Sequence, residues 1–329
     1  MTKEDQSYIN RYFNENCIAG CEQHIPDDSI DLIVTDPPYG IEGDTLHKHY
    51  NRDEAHVIDG YVEVPQDKYG EFSRQWITQA ERILRPGGSI YIVSGYTNLY
   101  HILETLRETS LQERNHIIWK YNFGVYTKKK YVSSHYHILY YIKPGGPVTF
   151  NTFARYGSQE KDSDGGSLNY QDREDVWVIN REYKPGQKKN KNELPTALLK
   201  KIIRYSSNPG DVVGDLFLGS FSTAKVARGL NRKATGFELS KSAYTHQITA
   251  MENLDPGFLM NTVRQPENTV PRNQGKPWTE KERADLESRY RELRSDSMTK
   301  QDAIGILCDE FGRGHFGILN KVDEIEKKC

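Results

Sequence analysis

Asp36-Pro37-Pro38-Tyr39 is the segment of this 329-residue chain whose residue types are best suited to chemistry. The run before it, Ile30 to Thr35, is apolar and reads as a buried strand that stops at the prolines. Open parallel sheets bind ligands at the C-terminal ends of such strands. Two successive prolines hold the backbone extended and donate no N–H. Their carbonyls and the Asp36 carboxylate are therefore convergent acceptors, suited to a planar amino group whose two hydrogens must both be held. Tyr39 adds a ring face on which a flat base can stack. A second constellation, Asp215-Leu216-Phe217-Leu218-Gly219-Ser220, lies between a strand-like and a helix-like run. A small, flexible turn at that point lets a ligand approach a helix N-terminus. Glu238 closes the next strand-like run about 20 residues on, where an acid commonly accepts hydrogen bonds from ribose hydroxyls.

Alternating elements must position these residues. Helix-like periodicity covers Asp67 to Leu84, Asn98 to Arg107, Pro195 to Tyr205, Thr223 to Leu230 and Ser240 to Leu254. Strand-like runs cover Ser89 to Val93, His116 to Trp119, His137 to Ile142, Asp211 to Leu216 and Ala234 to Glu238. Pro86-Gly87-Gly88 is expected to break the first helix. This alternation predicts an α/β fold with a parallel sheet covered on both faces. Residues 145–192 show no sustained period and form too long a stretch for an ordinary connection, so they read as a functional insertion. Residues 255–277, with four prolines, read as a linker. A capping box at Thr279 and Glu282 then opens a three-helix unit over 278–329.

Composition bounds the class. Hydrophobic residues make up 36% and charged residues 27%, which excludes wholesale disorder. No apolar stretch approaches the ~20 residues of a membrane span, and the N-terminus lacks the apolar core of a signal peptide. Four cysteines are too few for a disulfide scaffold, so the expected compartment is the cytoplasm. Cys17 and Cys21, with no second pair, read as structural, and no metal is expected. His24, His47, His49 and His56 lack metal-ligand spacing and read as loop or surface residues. The net charge of -2 favours no particular partner, but the basic runs Lys128, Lys129, Lys130 and Lys184, Lys188, Lys189, Lys191 hint at a phosphate-tracking surface.

Taken together, these motifs resemble those of the S-adenosylmethionine-dependent amino-methylating DNA methyltransferases of the permuted beta type. In that family D-P-P-Y precedes the F-x-G cofactor motif, with a target-recognition region between them, as here. Leu84 to Ser89 is similar to its L-x-P-G-G-S turn, Ser134 to Tyr140 to its H-E-x-I-L strand, and Pro195 to Leu199 with Asn208 to Asp211 to the helix beside the cofactor. The likeness covers roughly residues 10 to 253. It implies a Rossmann-like methyltransferase fold with a mostly parallel seven-stranded sheet over 1–254, recognition by residues 145–192, and a small C-terminal helical domain. It implies Asp36, Pro37, Pro38 and Tyr39 as catalytic residues. Asp215, Phe217, Gly219, Ser220, Glu238, Cys17 and Thr196 are implied as cofactor contacts. Lys128, Lys129, Lys130, Lys188, Lys189 and Lys191 are expected on double-stranded DNA, together with Tyr121 to Tyr131.

The implied reaction is methylation of adenine N6 after base flipping. An aromatic amino nitrogen is a poor nucleophile, and Asp36 and the Pro37 carbonyl would hold it for in-line attack. Cytosine N4 is the nearest alternative. An RNA or protein amino-methyltransferase and a catalytically silent DNA-binding subunit are further ones. A Pro-Cys nucleophile for ring-carbon methylation is missing from the sequence. A cognate restriction endonuclease and a homodimer are the other expected partners. Two departures stand out: Leu216 and Phe221 occupy positions where the family has Pro and Gly, and Asn192 to Thr196 departs from its H-P-T-Q-K-P lead-in. Phe221 is expected to point into sheet–helix packing. In the C-terminal unit, Arg313 and His315 are candidates for DNA contact, against a packing or dimerisation role. Residues 276–329 carry 11 basic and 12 acidic side chains, so no basic face is assumed.

Overall fold

The apolar runs assemble into one sheet. Its strands are β1 (Tyr12–Phe13), β2 (Ile30–Thr35), β3 (Leu84–Ser94), β4 (Gln112–Lys120), β5 (His135–Ile142), β6 (Val176–Val178), β7 (Val212–Asp215) and β8 (Lys233–Phe237). The computed structural model describes residues 7–40, 64–122, 124, 128–154, 168–182, 193–263, 273, 275–295 and 298–327. Strand order is β1-β8-β7-β2-β3-β5-β4-β6. All neighbouring pairs are parallel except β3–β5 and β5–β4. Among the described residues the sheet thus has eight strands, one more than expected. The extra edge strand, β6, comes from the inserted region and pairs Val176 with Ile118 and Val178 with Lys120. Strands of two or three residues carry no readable period, so β1 and β6 escape sequence reading.

Helices cover both faces. On one side lie α1 (Cys17–His24), α2 (Tyr69–Ile83) and α3 (Leu99–Arg107), which bury Trp76, Ile77 and Ile102 against Ile33, Ile90 and Ile92. On the other lie α4 (Thr196–Ser206), α5 (Ser222–Gly229) and α6 (Lys241–Glu252), with Leu198, Ile202 and Ala227 against Leu32, Val34 and Val213. Alternate residues of the central strands face opposite layers, as the period of two requires. Helix α2, expected to be broken by Pro86-Gly87-Gly88, already ends at Ile83, and these three residues lie inside β3, which begins at Leu84 and not at Ser89. Gly87 adopts a positive φ of 79° and donates its N–H to the Lys143 carbonyl at 2.8 Å. A Cβ there would meet the Pro147 carbonyl oxygen at 2.3 Å, so the bend needs glycine.

Two compact units divide the chain, 1–263 and 264–329. Residues 255–263, expected as linker, belong to the first. Gly257 and Leu259 donate backbone hydrogen bonds to Arg228 and Gly229, and Leu259, Met260 and Val263 pack on the core. In the second unit α7 (Glu280–Ser295), α8 (Lys300–Phe311) and α9 (His315–Glu326) enclose Leu286, Ile304, Leu307 and Ile318. The capping box forms as read: the Glu282 amide donates to Thr279 Oγ1, and the Thr279 amide donates to Glu282 Oε2, each at 3.1 Å. Arg313, read as a possible DNA contact, is buried. Its guanidinium donates to the Lys276 and Pro277 carbonyls and to Glu282, and lies 4.1 Å from the Trp278 ring centroid. It anchors the entry to α7 and is not presented to a ligand. Among the described residues no helix is long and apolar enough to cross a membrane.

Candidate active site

β2, β7 and β8 run parallel and side by side, so their C-terminal ends bring Asp36, Asp215 and Glu238 to one edge of the sheet. Asp215 is buried, and its Oδ1 accepts hydrogen bonds from Thr35 Oγ1 at 3.0 Å and the Phe217 amide at 3.1 Å. This carboxylate therefore ties β2 to the Gly219 turn. Burial pushes its pKa up to about 6, against hydrogen bonds from Phe217, Thr223 and Thr35. Glu238 is half-buried; Gly219 and Ser240 each donate a backbone N–H to one of its oxygens at 2.7 Å. Burial raises its pKa too. With one N–H on each oxygen, lone pairs remain for hydroxyl donors.

Asp36 differs from the other two acids. Its Oδ1 is buried and has no hydrogen-bond partner. Burial pushes its carboxyl up to about 7; a Tyr39 hydrogen bond opposes the rise, the Asp215 charge adds to it, and the Arg181 charge opposes it. The neighbouring backbone is clamped. Tyr69 donates its hydroxyl to the Pro38 carbonyl at 2.7 Å, and Asn98 Nδ2 donates to the Tyr39 carbonyl at 2.6 Å. Of the two proline carbonyls expected as acceptors, the Pro38 one is thus already engaged. The Tyr39 ring stacks on Tyr136 with centroids 5.5 Å apart. Trp119 and Tyr121 pack on Tyr136 at 5.6 and 5.4 Å, and Arg181 lies over Tyr121 and Tyr136 at 4.8 and 5.3 Å.

The remaining expected residues divide. Gly219 takes a positive φ of 50° and Ser220 Oγ lies 2.7 Å from Ser222 Oγ, so both belong to the turn between β7 and α5. Phe217 packs against Trp76 and Phe72, on the floor of that turn. Phe221 is fully buried and edge-on to Tyr12 at 5.3 Å, as expected. It also holds a positive φ of 62°, the left-handed conformation that explains glycine in the family pattern. Cys17, implied as a cofactor contact, opens α1; it is buried among apolar side chains, and burial pushes its thiol pKa up. Thr196 begins α4 and donates its amide to Glu182 at 2.6 Å, while Glu193 accepts from Ser222 at 3.0 Å. Glu193 thus ties the altered lead-in to the Gly219 turn, while Glu182 ties the start of α4 to the inserted region.

Lys128, Lys129 and Lys130 are exposed on the loop after β4, which runs parallel to β6 and opens on the same sheet edge as Asp36. Lys188, Lys189 and Lys191 lie outside the described residues. Sequence reading missed Arg181, Tyr69, Asn98 and Thr35. Tyr136 lay within the quoted strand motif and Thr35 within the strand read before Asp36, but nothing local marks Arg181, Tyr69 or Asn98, which reach the Asp36 segment only in the folded chain.

Residues 30–250 match the N6/N4 family described as DNA methylase, and the chain belongs to that family. Type II methyltransferase M.BamHI of Bacillus amyloliquefaciens is 32% identical over 247 residues, covering 70% of this chain and 55% of the relative. Type II methyltransferase M.HpaI of Haemophilus parainfluenzae is 30% identical over 239 residues, covering 72% and 71%. The chain thus spans little more than half the length of the first relative. Among solved structures, the M1.HpyAVI–SAM complex superposes with a TM-score of 0.52 at 20% identity, over 74% of this chain and 99% of that one. That likeness concerns the fold.

Proposed function

We propose that this chain is a site-specific DNA amino-methyltransferase that moves the methyl group of S-adenosylmethionine to adenine N6. The observation that carries this reading is the orphaned, buried Asp36 Oδ1, beside two further carboxylates at the same strand ends. Carboxyl groups at three adjacent strand ends suit a ligand that is cationic at sulfur and carries a diol, since its charge would offset the cost of burying them ionised. Glu238 would hold the ribose hydroxyls, the Gly219 turn would admit the nucleoside, and Asp215 would keep that turn fixed to β2. When bound, the cofactor supplies an electrophilic methyl on a sulfonium.

The chain's own residues do the rest. Asp36 Oδ1 accepts one amino hydrogen and the Pro37 carbonyl the other, which draws the nitrogen lone pair out of conjugation. The raised pKa of Asp36 suits it to take the proton that nitrogen loses as it gains the methyl. Tyr39, backed by Tyr136, offers the flipped base a surface in place of its lost stacking. We read the substrate as duplex DNA, the site of action as the bacterial cytoplasm, and the biological partner as a cognate restriction endonuclease. An Asp in the catalytic motif favours adenine over cytosine N4. Expression in a host without methylation, followed by modified-base sequencing of its DNA, tests this. N6-methyladenine at one short motif is expected; N4-methylcytosine would correct the target, and unmodified DNA would overturn the reading.

A further inference from the structure

Two buried polar atoms of opposite character stand without partners near the proposed target-base pocket: the acceptor Asp36 Oδ1 and the donor Arg181 Nε. The two side chains are close enough for the Arg181 charge to act on Asp36. Buried donors and acceptors are nearly always paired, and both orphans flank the Tyr39–Tyr136 stack, so together they offer one acceptor and one donor to a bound base. Arg181 is also held still. Its Nη2 donates to the Tyr136 hydroxyl at 2.9 Å, and its guanidinium lies over the Tyr121 and Tyr136 rings. The backbone is fixed on both sides of it. Trp119 Nε1 donates to the Ile179 carbonyl at 2.7 Å, and Glu182 accepts the Thr196 amide.

We propose that Arg181 is a specificity-determining residue: its Nε donates to the ring nitrogen beside the amino group that Asp36 accepts. The pair then reads an edge on which an exocyclic amino group lies beside an unprotonated ring nitrogen. Adenine offers that edge at N6 with N1 or N7, and cytosine offers it at N4 with N3. Thymine and the O6–N1 edge of guanine present a carbonyl to Asp36 and are refused, because like polar atoms would then face each other. A guanidinium on the ring nitrogen withdraws electron density from the amino group, so its benefit lies in holding and selecting the base, not in speeding attack. This inference rests on the amino-transfer reading above.

The test pairs the wild-type protein and Arg181→Met with duplexes carrying the identified motif and, at the target, adenine, 1-deazaadenine or 7-deazaadenine (3-deazacytosine if cytosine is methylated). For the wild type, one deaza duplex is expected to lose about tenfold or more in kcat/KM. With Arg181→Met, natural and deaza duplexes should be methylated alike, because the donor they would miss is gone. Arg181→Lys, which keeps charge without the planar fork, should behave as Met does. If the wild type accepts every deaza base as well as the natural one, or if the losses from base and protein changes simply multiply, the inference is overturned. Should the Met variant not fold, the Lys variant decides the coupling. No methylation of the natural duplex would overturn the amino-transfer reading itself, and this inference with it.

Discussion

With its carboxyl raised to about 7, Asp36 binds a proton more tightly in the folded chain than at the ordinary value of 3.8. Folding therefore becomes less favourable as pH climbs from about 4 to 7, and the penalty is complete above that window. Asp36→Asn removes the buried charge. It should stabilise the protein by about 1–2 kcal/mol at pH 8, with the gap closing towards pH 4. Denaturant melts at both pH values check this; equal stabilities at pH 8 would contradict it. Catalysis needs the opposite state, because a protonated Oδ1 cannot accept an amino hydrogen. The kcat/KM for DNA should rise through an apparent pKa near 7. Asp36→Ala should cut turnover by a factor of at least about 100 while cofactor affinity in calorimetry stays within a few-fold. Phe221 poses a second residue-scale question. Phe221→Gly relieves a left-handed strain of about 1 kcal/mol but gives up a buried ring worth about 3–5 kcal/mol. Net destabilisation is expected in equilibrium unfolding, and a stabilised variant would show that the turn's strain dominates.

At the scale of elements, the inserted region is attached at several points. β6 pairs with β4, and Lys201 of α4 forms a buried ion pair with Asp172 while lying 4.6 Å over the Trp177 ring. Tyr205 donates its hydroxyl to the same Asp172, and Phe150 packs on Tyr205. The inserted region thus leaves the sheet from a fixed base, on the edge where the β4–β5 loop displays Lys128, Lys129 and Lys130. Changing these three lysines to Gln should lower the slope of log affinity against log salt by about 2–3, since each phosphate contact contributes about 0.9. Binding titrations across salt concentrations measure it. An unchanged slope would remove this loop from the DNA surface.

For the whole molecule, the two compact units invite separation. Each has its own apolar core, and the ion pairs Arg289–Glu310 and Lys300–Asp323 lie on the surface of the second unit. A chain ending at Val263 should fold and keep its affinity for S-adenosylmethionine, because Asp36, Asp215 and Glu238 all belong to the first unit. Failure to bind cofactor would show that the boundary is misplaced. Loss of affinity for the specific duplex in that chain would assign DNA contact to the three helices; loss of self-association alone would assign them to assembly.

The order of the elements was legible from sequence, because hydrophobic periodicity, prolines and caps are local properties. So were Asp36, the Gly219 turn and Glu238, because strand ends in a parallel sheet share one edge. The departure at Phe221 was legible as packing, and the capping box at Thr279 and Glu282 was legible as a helix start. Tertiary structure alone decided which side chains meet. Arg181 reaches the Tyr39–Tyr136 stack because a three-residue strand, too short to show a period, docks beside β4. Arg313 lost its role as a DNA candidate because three carbonyls and a carboxylate, 31 to 40 residues distant in sequence, converge on it. Contacts of that kind depend on how the elements pack against each other, and that packing has no signature in the spacing of residues along the chain.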